Sequence, residues 1–166
     1  MRISNVHRRD IAAPHVAVGA LIDGLASPRD ALWPRDRWPA VRFDRPLGVG
    51  AVGGHGPVSY AVEAYEPGRW IVFRFTPAGR FSRILDGTHA LDVEAVDAAT
   101  TRLWHRIEAR ARRIDLPFWW LVVEPLHDAL IEDAFDRAER AATGRLDRPA
   151  RWSPWVRLLR RLLGRP

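Results

Sequence analysis

The stretch VSYAVEAYEPGRWIVFRFT, Val58 to Thr76, decides how the rest of the chain is read. Apolar and polar residues alternate with a period of two on both sides of Glu66-Pro67-Gly68-Arg69, the pattern of two antiparallel strands. Proline at the second position of the four presets its own backbone angle, and glycine at the third tolerates the positive φ that a type II turn requires. The pattern predicts a hairpin of Val58 to Tyr65 and Arg69 to Thr76. The alternation continues downstream in strands predicted at Thr88 to Val96 and Thr101 to Arg112, joined by Asp97-Ala98-Ala99-Thr100 and so paired antiparallel.

After Pro117 the period lengthens. At about 100° per residue, Val123, Leu126, Leu130, Ile131, Ala134, Phe135 and Ala138 share one side of a helix. Asp128, Glu132, Asp136, Glu139 and Arg140 take the other, and Gly144 is placed as a left-handed stop after Thr143. Upstream, Arg2 to Ile11 reads as a first strand and Pro14 opens a helical stretch with Val16, Ala20 and Leu21. Pro28 and Pro34 cut the next segment into short pieces, and Val41 to Gly56 is rich in glycine. Helices only at the two ends of a strand series predict an α+β fold, a sheet packed on a long helix.

The chain has 166 residues, 47% of them apolar, and eight tryptophans, enough to bury the core of one domain. All 26 basic side chains are arginine, so no single arginine is by itself a sign of phosphate binding. Their distribution is more telling. Met1 to Gly144 carries 19 arginines against 19 carboxylates, while Arg145 to Pro166 carries seven against Asp147 alone. With no cysteine there is no disulfide framework, thiolate metal site or cysteine nucleophile. Arg8 and Arg9 imitate an export signal, but Asp10, Pro14 and Asp23 interrupt the apolar run that one needs, and no stretch is long enough to span a bilayer. A cytoplasmic location is expected.

Three stretches together resemble the helix-grip proteins, the superfamily that includes START lipid-transfer domains, Bet v 1-like plant proteins and polyketide cyclase-like bacterial proteins. They are Ile11-Ala12-Ala13-Pro14 closing the first strand, Tyr65-Glu66-Pro67-Gly68-Arg69 with Ile71-Val72-Phe73-Arg74-Phe75, and the long helix after Pro117. The resemblance covers residues 1 to 144. It implies a curved antiparallel sheet around a long C-terminal helix and an apolar cavity between them, with the ligand set by the lining side chains. It carries over no universal catalytic residue, and neither a cofactor nor a metal is expected.

Strand parity then nominates the lining. Phe73 and Phe75 share a face, as do His89 with Leu91, and Leu103 with His105. From the helix come Val123, His127 and Leu130, with Trp120 from the aromatic run at its start and Tyr60 from the hairpin. The imidazoles and Tyr60 or Tyr65 are either polar handles for a ligand or core groups satisfied by backbone and water. An apolar small molecule is the expected partner. The alternative is a cyclase- or aromatase-like enzyme using these groups as acid and base. Gly48, Gly50 and Gly53 have dinucleotide-loop spacing but lead into a strand instead of a helix, so they are read as tight bends or the cavity's mouth. No serine sits in a nucleophile elbow.

The last segment, Arg145 to Pro166, stands apart as a basic amphipathic tail. Ser153 and Pro154 read as N-cap and first helical position, with Gly164 as the stop. Between them Trp155, Val156, Leu158, Leu159, Leu162 and Leu163 fill an arc of about 160°, opposite Arg157, Arg160 and Arg161. A helix this short needs a surface to form on. One candidate is the anionic inner face of a membrane, met by Trp152, Trp155, Arg157, Arg160 and Arg161; the other is the protein's own body. Nucleic acid is not expected, because the body offers no second basic stretch.

Overall fold

The computed structural model describes residues 1–163. Strands β1 (Arg2–Ile11), β2 (Arg42–Phe43), β3 (Val52–His55), β4 (Val58–Glu66), β5 (Trp70–Phe75), β6 (Asp86–Ala95) and β7 (Thr101–Arg110) form one antiparallel sheet in the order β1-β7-β6-β5-β4-β3-β2. Helix α1 (His15–Asp23) comes directly after β1. A π-turn at Trp119–Val123 leads into α2 (Glu124–Thr143), and α3 (Pro154–Leu162) ends the described chain. Gly164, expected as the stop of that last helix, lies outside the described residues.

The hairpin turn is as expected. Gly68 has φ 73° and the Arg69 amide donates to Glu66 O at 3.1 Å. Its flatness also serves packing, since a Cβ on Gly19 of α1 would stand 2.0 Å from the Gly68 carbonyl oxygen. Tyr65 Oη donates to Asp23 Oδ1 at 2.7 Å and fixes α1 on the hairpin. A register shift between Val62 and Ala64 lets both Tyr60 and Tyr65 pair with inward residues, Phe75 and Ile71, despite their odd spacing.

α2 lies across the concave face of the sheet with Leu130, Ile131, Ala134, Phe135 and Ala138 buried, and Gly144 closes it at φ 76°. It is fastened to the edge strand β1 by a polar ladder. Asn5 Nδ2 donates to Asp128, His7 bonds to Asp128 at 3.0 Å and Glu132 at 2.9 Å, and Arg9 reaches Glu132, Asp136 and Glu139. Steps of two along the strand meet steps of four along the helix, so each rung falls on the same seam. No helix among the described residues is long and apolar enough to cross a membrane.

Candidate functional site: an aromatic cavity with unpartnered imidazoles

Between the sheet and α2 lies a cavity of about 300 Å³, the low end of the range for small-molecule sites. Antiparallel register builds its floor. Phe73 stands opposite His89, and Leu91 opposite His105, so alternate residues of three neighbouring strands project to one side. Tyr60 and Phe75 extend that floor, and Val123, His127 and Leu130 form the roof. Nine of the side chains nominated from sequence thus line one space.

Two do not. Leu103 is fully buried but packs beyond the cavity, and Trp120 is 53% exposed on the outside. The π-turn explains the second. Its extra residue rotates the helix surface, so Trp119 (1% exposed) faces inward and Trp120 outward. Tyr65 stays with Asp23 and does not reach the cavity.

Other lining groups had no sequence signal. His55 comes from the glycine-rich segment, where β3 is too short to show alternation, and its ring lies 4.6 Å from Trp33. Trp33 and Trp38 arrive from the proline-broken connection. Their indoles are fixed by bonds to Pro39 O and Asp133 Oδ2, both at 2.8 Å.

The imidazoles form a row. Ring centres are separated by 5.8 Å from His7 to His127, 4.8 Å from His127 to His105 and 5.6 Å from His105 to His89, and His89 lies 4.7 Å from Tyr60. Burial drives His89 and His105 well below the ordinary imidazole range, and the charge each would present to its neighbours adds to the effect. The same causes bring His55 down to about 3, and burial lowers His127. Burial also raises the Tyr60 phenol. The imidazoles and the phenol of the lining are therefore neutral groups that can both donate and accept, and Arg80 and Arg160 are the charged residues beside them. His89 Nε2 and His105 Nδ1 are buried with no hydrogen-bond partner, whereas His127 Nδ1 faces the Asp128 carboxylate at 3.6 Å. Buried polar atoms are rarely left so, because each costs about 1–3 kcal/mol.

His7 sits outside this pattern. Burial opposes its charge, but hydrogen bonds to Asp128 and Glu132 outweigh it and raise the ring to about 9. Donor atoms of His7, His127 and Asp128 lie within 4.8 Å of one another, the group of described residues best able to hold a cation. Asp128 Oδ1 already accepts from Asn5 and His7, so these atoms are accounted for as the ladder between β1 and α2.

α3 borders the opening. Val156 and Leu159 are buried against the body, and Leu163, just past the helix, lines the cavity with Arg160. Arg160 stacks over Trp38 at 4.5 Å and donates to Arg37 O, while Trp152 Nε1 donates to Asp133 Oδ2 at 2.9 Å. Of the five residues nominated for a membrane, Trp152 and Arg160 are thus turned to the body, and Trp155, Arg157 and Arg161 remain exposed. The two that are turned inward find indole and carboxylate partners that lie far away in sequence.

No protein-family model matches the sequence, and no curated protein matches it significantly. Solved structures do match in shape. Norcoclaurine synthase from Thalictrum flavum, in complex with dopamine and hydroxybenzaldehyde, superposes with a TM-score of 0.65 at 12% identity, covering 89% of this chain and 90% of that one. This is a helix-grip fold. CalU16 from Micromonospora echinospora gives 0.59 at 19% identity over 96% and 82%, and a protein from Thermobifida fusca 0.65 at 17% over 90% and 99%. The helix-grip chain described here shares with these the Bet v 1-like arrangement of curved sheet and long helix.

Proposed function

We propose that the protein binds a compact, ring-containing apolar molecule in the cavity and orients its oxygen or nitrogen atoms with His89, His105, His127 and Tyr60. One observation carries the reading: two buried imidazole nitrogens, His89 Nε2 and His105 Nδ1, lie without partners among aromatic walls. A bound hydroxyl or carbonyl would satisfy them, and neutral rings would favour an uncharged ligand. The small volume favours one or two rings over a two-tailed lipid. Norcoclaurine synthase, whose structure contains dopamine and hydroxybenzaldehyde, offers a ligand size of this order.

Titration with naphthol, a neutral ring system with one hydroxyl, tests this directly. Saturable binding of one molecule per chain is expected, abolished by Leu130→Trp, which fills the cavity. Equal binding by the filled variant would place naphthol elsewhere and sink the reading.

Acid–base catalysis is the second reading, favoured by the neutral rings of His105 and His127 at 4.8 Å. His127, supported by Asp128 at 3.6 Å, is the ring placed to take a proton from a carbon beside a carbonyl and pass it back, with His105 donating to the carbonyl oxygen. Turnover of a discovered substrate that survives both His105→Ala and His127→Ala would end that assignment. We further propose that the basic C-terminal segment holds the protein reversibly at an anionic membrane, supported by its seven arginines against one carboxylate.

A further inference from the structure

Trp120 and Leu121, 53% and 58% exposed on the π-turn, do not stand alone. Trp155, Leu158 and Leu162 occupy the outward side of α3, and Trp155 Nε1 donates to Leu121 O at 2.8 Å, so the two apolar sets meet edge to edge. The sequence supplies the reason. Pro125 has no N–H to offer the carbonyl four residues before it, which leaves Leu121 O for the indole.

α3 cannot turn this face inward while it is docked. Val156 and Leu159 already bury its other apolar side, and Trp152 and Arg160 hold it through Asp133 and Trp38. The exposed arginines Arg157 and Arg161 flank the face on α3. Arg112 and Arg113 flank Ile114 at the start of the helical segment that carries Trp120. Leu163, half exposed, also lines the cavity, so the face borders the cavity's mouth.

We propose, on the membrane reading above, that Trp120, Leu121 and the outward side of α3 form one surface that engages an anionic bilayer with α3 still docked, setting the mouth against lipid. Aromatic and aliphatic side chains would enter the headgroup boundary, and the flanking arginines would meet lipid phosphates. A second copy of this chain is a poor occupant, because it would bring arginines against arginines. Ligands that partition into bilayers would then reach the cavity without crossing water.

The chain has no cysteine, so single substitutions accept a fluorophore cleanly. Full-length Leu121→Cys and Leu158→Cys, each carrying an environment-sensitive dye, are mixed with vesicles of phosphatidylcholine and phosphatidylglycerol in equal parts, and with phosphatidylcholine alone. Both dyes are expected to shift to the blue with the acidic vesicles only, and Trp120→Ser is expected to weaken sedimentation roughly tenfold. If only the dye at position 158 shifts, the tail works alone; the composite surface is overturned and the membrane reading stands. If the full chain ignores acidic vesicles at low salt, the membrane reading itself fails. A shift that appears without vesicles and grows with protein concentration assigns the face to self-association and overturns the inference.

Discussion

Replacing His105 by phenylalanine separates a ligand-handling imidazole from a structural one. His105 is 3% exposed and its Nδ1 has no partner. A buried unpaired polar atom costs about 1–3 kcal/mol, and a planar apolar ring removes that cost. The larger ring meets some crowding from His127 and His89, whose centres lie 4.8 Å and 5.6 Å away, but the adjoining cavity gives it room. The expected balance runs from neutral to about 2 kcal/mol of stabilisation, a Tm rise of up to roughly 4–8 °C for a chain of this size. Naphthol affinity should move the other way. Loss of one hydrogen bond worth about 1.4 kcal/mol weakens binding about tenfold. Thermal unfolding followed by circular dichroism and naphthol titration on the same preparations give both quantities. A Tm drop of more than about 5 °C with unchanged naphthol affinity would refute the reasoning, because His105 would then be a satisfied core group.

Asp133, buried on α2, accepts from Arg37, from Trp38 Nε1 and from Trp152 Nε1, and so joins three separate segments. Asp133→Ala should cost about 3–5 kcal/mol by leaving these donors unpaired, and limited proteolysis should then release the segment from Arg145 onward. An intact segment at wild-type protease resistance would mean that Val156 and Leu159 alone hold α3. Stability should also peak near neutral pH. His55, His89, His105 and His127 have lowered folded pKa values, so acidification below about 6.5 protonates the unfolded chain first and costs up to about 1.4 kcal/mol per pH unit per group. His7, raised to about 9, contributes fully below about 6.5 and loses its contribution as pH rises through 9. Urea unfolding across pH checks both limbs, and stability that keeps rising down to pH 5 would show that the histidine row is not held neutral.

Local periodicity determined a good deal of this protein. The hairpin at Glu66 to Arg69, the strands that end as β6 and β7, the apolar side of α2 and its stop at Gly144 are written in spacings of two and of three to four residues, which neighbouring side chains read directly. Parity also assigned His89 and His105 to one interior, because alternation along a strand survives into any antiparallel register, and the helical period placed His127 on the face opposite them.

Beyond the reach of parity, tertiary structure decided. Trp119 and Trp120 exchanged places because a π-turn adds a residue that no regular period anticipates. His55 joined the cavity through a four-residue strand, and Trp33 and Trp38 through an irregular connection, where direction is set by long-range packing alone. The C-terminal segment shows the division most clearly. Its amphipathic pattern specified a helix that needs a surface, but a short apolar stripe is equally content against lipid or protein. Only the assembled fold set a buried carboxylate at Asp133 and a proline-freed carbonyl at Leu121 within reach of its indoles, and so left one side of α3 docked and the other exposed.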